Sequence, residues 1–76
     1  MDLNQFVAKF SEQFEDTDAS AFEAGTQFRD LDEWSSLTAL FVIAMADDEY
    51  GVKITGDEIK NANTIEDLYN LISSKK

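Results

Sequence analysis

Apolar residues recur at helical spacing in three separate stretches of this chain. In the first, Leu3, Phe6, Val7, Phe10 and Phe14 follow at steps of three, one, three and four. That is one stripe of a helix with about 3.6 residues per turn, and Asp2 stands where an N-cap belongs. A second helix is predicted from Ser36 to Tyr50, ending at Gly51, a residue suited to a left-handed helix stop. Positions 100° apart put Ala39, Val42, Ile43, Ala46 and Tyr50 on its buried side. Leu37, Leu40, Phe41 and Ala44 gather on another side, next to Ser36, so this helix is apolar on two faces. Thr55-Gly-Asp-Glu58 reads as a capping box opening a short third helix through Lys60. Thr64-Ile-Glu-Asp67 repeats that logic before a last helix bearing Ile65, Leu68, Tyr69, Leu71 and Ile72. Residues 15–34 keep no period and are predicted as a long loop, with Phe22, Phe28 and Leu31 pinning it to the core. The expectation is an all-α four-helix bundle, with a long first loop, a short third helix and one domain over residues 1–76.

Composition narrows the function. The chain has 76 residues, 16 acidic and 6 basic, for a net charge of −10. Such a surface repels nucleic-acid phosphates and anionic lipid and attracts proteins with basic patches. The periodic apolar positions separate it from a disordered acidic tail. Neither Cys nor His is present, which removes the thiolate nucleophile, the usual general base and the usual metal ligands. The chain is therefore not expected to be an enzyme. No stretch reaches the roughly 18 apolar residues of a membrane span, and MDLNQFVAKF lacks the basic start and apolar run of a secretory leader. No membrane partner, a cytoplasmic location and a monomer are expected.

The candidate chemistry lies at the start of the second helix, in LDEWSSLTALFVIAMADDEYGVKI. A serine at a helix start can cap free backbone amides. Equally, an exposed hydroxyl there can bear a phosphate beside the positive end of the helix dipole. Position alone fits both roles. The neighbours distinguish them: Leu37 follows Ser36, the triplet Asp47-Asp48-Glu49 comes eleven residues on, and Tyr50-Gly51-Val52 and Ile54 complete the run.

This pattern resembles the acyl carrier protein family, whose signature Asp-Ser-Leu precedes an amphipathic helix, an acidic cluster, an aromatic and a short third helix. The likeness spans the whole chain, including Trp34 before the signature and Thr64-Ile-Glu-Asp-Leu68 near the end. It implies that a separate holo-synthase, a phosphopantetheinyl transferase, esterifies Ser36 with phosphopantetheine from coenzyme A. The thiol of the arm would then hold acyl or aminoacyl groups as thioesters for the enzymes of fatty-acid, polyketide or related synthesis. Such a carrier needs no cysteine, because the sulfur comes with the cofactor.

Two departures stand out. Ser35 occupies the family's Asp position, which makes it the second candidate for attachment after Ser36. Thr38 and Phe41 stand where relatives place acids, so partners are expected to bury Leu37, Leu40, Phe41 and Ala44, with Asp47 and Asp48 as a charged rim. The competing possibility is that Phe41 packs on the long loop. Two rivals compete for the function. Asp16-Thr-Asp18 and Asp30-Leu-Asp32 open like EF-hand loops, but positions six and twelve are Ala21 and Gln27, or Ser35 and Phe41, instead of Gly and Glu. No metal site is expected. The other rival is an unmodified acidic helical protein-interaction domain.

Overall fold

The computed structural model describes residues 2–76, which fold into a body of 30 × 24 × 20 Å. Four α-helices are found among the described residues, and no strand: α1 Leu3–Ser11, α2 Ser36–Tyr50, α3 Gly56–Asn61 and α4 Ile65–Lys75. Each start has the chemistry its sequence promises. Asp2 accepts from the Asn4 amide at 2.9 Å. Thr55 and Glu58 exchange both bonds of a capping box before α3, and Thr64 and Asp67 do the same before α4. Gly51 ends α2 at φ 66°, where a side chain would be strained. Its amide donates to the Asp47 carbonyl, and that of Val52 reaches back to Ala46, closing the helix end.

The core joins a cluster of phenylalanines to aliphatic side chains. Phe6, Phe10 and Phe28 are fully buried, along with Val42, Ala46, Ile65, Leu68 and Ile72. Phe14 lies beyond the end of α1, yet it stays buried, 4.9 Å from Phe22 between ring centroids. Trp34 meets Phe28 edge-on at 4.8 Å. Phe22 and Phe28 thus pin the long loop as expected, and Leu31 is half-buried beside them.

That loop carries two short 3-10 turns, Ala19–Ala21 and Phe28–Asp30. The Glu33 carboxylate ties its end to its beginning, accepting from the Glu15 amide (2.8 Å), the Asp16 amide (3.1 Å) and the Thr17 hydroxyl (2.7 Å). The Thr17 hydroxyl, with those amides, holds the Glu33 carboxyl below its ordinary range. Further along, Thr26 and Ala24 carbonyls accept from the Ile65 and Glu66 amides, which docks the loop on the start of α4.

The buried side of α2 differs from the one read off the sequence. Val42 and Ala46 are buried, but Ala39, Ile43 and Tyr50 are only half-buried, and Thr38 and Met45 take the inner positions. The Thr38 hydroxyl donates to the Glu33 carbonyl at 2.9 Å, which satisfies a polar group on the inner side of the helix.

Candidate functional site

The two adjacent serines occupy different places in the helix start. Ser35 is the N-cap residue, with extended backbone, and its Oγ accepts from the Thr38 amide at 3.3 Å. Its hydroxyl also lies 3.2 Å from that of Thr38. Ser36 is the first residue inside the helix, is exposed, and its hydroxyl has no hydrogen-bond partner among the described residues. The Ala39 amide bonds the Ser35 carbonyl at 3.0 Å, and the Thr38 amide is taken by the cap. The amides of Ser36 and Leu37 are among the donors that remain at this helix end.

Ser36 opens onto a groove of about 560 Å³ between α2 and α3. Its floor is apolar, with Trp34, Ala39, Ile43 and Ile59, and two cations, Arg29 and Lys60, border it. Leu40, 60% exposed, borders the groove and adjoins the other exposed side of α2, where Leu37 is 60% and Phe41 45% exposed. The loop therefore does not cover Phe41. With Ala44 and Asp48, Phe41 instead borders a shallow depression shared with Glu12 and Gln13 at the end of α1. Asp47 and Asp48 are exposed at the far end of α2.

The acidic positions of the long loop also converge: Asp16, Asp18, Asp30, Asp32 and Glu33 border one open depression. Among the described residues, no group of three carboxylates is placed to hold a metal ion. No helix of the structure is long and apolar enough to cross a membrane.

A small helical bundle with an accessible hydroxyl at the mouth of its second helix has the form of a prosthetic-group carrier. A family profile described as the phosphopantetheine attachment site matches residues 4–72, and the chain belongs to that family. Comparison with curated proteins and with solved structures finds no match. Phosphopantetheine is thus the group this fold carries, covalently attached. The residues present fit it: an exposed hydroxyl, two free amides and two cations beside it suit a phosphodiester.

Sequence reasoning found both serines and the exposed stripe of α2. It missed Arg29, Lys60 and Glu33, which act across the fold. Arg29 donates to the Lys60 carbonyl and, at 2.7 Å, to Asn63 Oδ1, joining the long loop to the end of α3. The only local hint was an arginine in an otherwise acidic loop.

Proposed function

We propose that this chain is a single-domain, non-catalytic acyl carrier in which Ser36 bears the arm. One observation carries the choice of serine: both are exposed, but Ser35 Oγ is engaged as the helix cap, whereas Ser36 Oγ has no hydrogen-bond partner among the described residues. In the loading reaction, run by a transferase, Ser36 Oγ forms a bond to the phosphorus of coenzyme A that carries the pantetheine. The phosphoanhydride bond breaks, the nucleotide portion leaves, and the hydroxyl proton passes to a base of the transferase. Once bound, the group supplies a terminal thiol on which acyl or aminoacyl cargo is held as a thioester. This chain's own part is to expose the hydroxyl, to place free amides and cations near the phosphate, and to offer partners a surface.

That surface is Leu37, Leu40, Phe41 and Ala44, with Asp47 and Asp48 as a charged rim. Exposed large apolar side chains at adjoining helix positions mark an interaction site, and the acids favour partners with basic rims. The partners would be the transferase and the enzymes of fatty-acid, polyketide or related synthesis. The chain would act as a monomer in the cytoplasm.

The test is intact mass after incubation with coenzyme A and a broad-specificity transferase. The wild type and Ser35→Ala should each gain one phosphopantetheine, and Ser36→Ala none. Loading of Ser36→Ala but not of Ser35→Ala would move the attachment to Ser35. No gain in the wild type would favour the unmodified interaction domain.

A further inference from the structure

The groove beside Ser36 reverses the charge of the molecule around it. Only six side chains are basic against sixteen acidic ones, yet two of the six border this groove and no carboxylate does. Elsewhere Lys9 pairs with Glu49 and Lys75 with Glu58, each at 2.7 Å. Lys76 lies 5.5 Å from the centre of the Tyr50 ring. Arg29 is held differently. Its guanidinium donates to the Lys60 carbonyl and to Asn63 Oδ1, both uncharged, so it is fixed in place with its charge uncompensated. The Lys60 side chain has no partner among the described residues and is exposed.

We propose that this groove is a resting seat for the phosphopantetheine arm, with the phosphodiester against Arg29 and Lys60. The dimethyl-bearing carbons that follow the phosphate then lie over Ala39, Ile43 and Ile59. The inference rests on Ser36 as the attachment point. Connectivity favours the arm over other anions, because a phosphate esterified to Ser36 is attached to a residue that already borders the groove. The match is twofold, since an anion followed at once by a branched hydrocarbon meets two cations followed by an apolar floor. A purely structural role, fastening the loop to α3, accounts for Arg29 but not for Lys60 or for the lack of carboxylates here. Being electrostatic at an exposed site, the seat weakens as salt rises.

The test compares amide spectra of isotope-labelled apo and loaded protein by nuclear magnetic resonance, with loading verified by mass. Loading the wild type should shift Ile43, Ile59 and Lys60 in addition to the neighbours of Ser36, and added salt should reduce those distant shifts. Lys60→Gln removes a side chain without a partner, so the fold is retained. The shifts on α3 should diminish in it and vanish in Arg29→Gln/Lys60→Gln, with the melting temperature of each variant as the check on folding. Shifts confined to residues beside Ser36, or undiminished in folded variants, overturn the seat while leaving the carrier reading intact. Shifts on α3 that appear only with a carboxylate-ended acyl group on the thiol also overturn it, since the cargo is then what binds. An unmodified mass overturns attachment at Ser36, and the seat with it.

Discussion

The two faces of α2 are almost equally apolar and face different surroundings. Val42, Met45 and Ala46 are enclosed in the core, while Leu37, Leu40 and Phe41 on the other side stand 45–60% exposed. A helix that is apolar all round commonly lies inside a protein. Here a 76-residue chain covers one face only, and the uncovered face adjoins Ser36. The difference teaches that side chains of one chemical kind serve the fold only where something covers them, and the uncovered face is the one we propose for recognition.

Substitutions can break that comparison, and the largest effect is expected inside. Met45→Ala should cost about 2–5 kcal/mol through lost contacts and a cavity, a large share of the roughly 5–10 kcal/mol total stability of a small domain. Urea denaturation measures it. On the outer face, Phe41→Ala should change stability by less than about 0.5 kcal/mol. It should instead lower the transferase's kcat/KM about tenfold or more, since burying such a side chain at an interface contributes on the order of 1.5–3 kcal/mol. A folded Phe41→Ala that loads at the wild-type rate with every transferase tried would remove the recognition role. Ser35→Ala sits between the faces. It should cost about 1 kcal/mol through the lost cap and still load.

The smallest effect sharpens the account of the loop that covers the inner face. The Thr17 hydroxyl and the amides of Glu15 and Asp16 hold the Glu33 carboxyl below its ordinary range. A lowered folded-state value means that the contribution is present above the ordinary carboxylate range and is lost as pH falls through the lowered value. Glu33→Gln should therefore melt at a lower temperature than the wild type at neutral pH. The two should converge on acidification, as paired thermal melts across pH would show.

Much of this was legible in the sequence because its causes are local. Asp2, Ser35, Thr55, Thr64 and Gly51 specify helix ends through bonds reaching no more than six residues along the chain, so those boundaries could be read from short motifs. The inner face of α2 was legible only in part. An all-round apolar helix has no stripe to follow, and Thr38 lies inside with its hydroxyl bonded to the Glu33 carbonyl, a polar residue that no apolar pattern would place there. The Glu33 clip and the Arg29 bridge span sixteen or more residues. Such contacts leave no periodic trace, so the electrostatics around Ser36 emerged only with the fold. The serine itself was legible as one of two, and the difference in hydrogen bonding between Ser35 and Ser36 was not.

The central claim is that the free hydroxyl at the first turn of α2, and not its capping neighbour, is the anchor of the arm. Fragmentation mass spectrometry of the enzymatically loaded chain tests it directly, by locating the added group on one side chain. The account predicts the phosphopantetheine on Ser36, with Ser35 unmodified. The same group found on Ser35, or on neither serine, would contradict it.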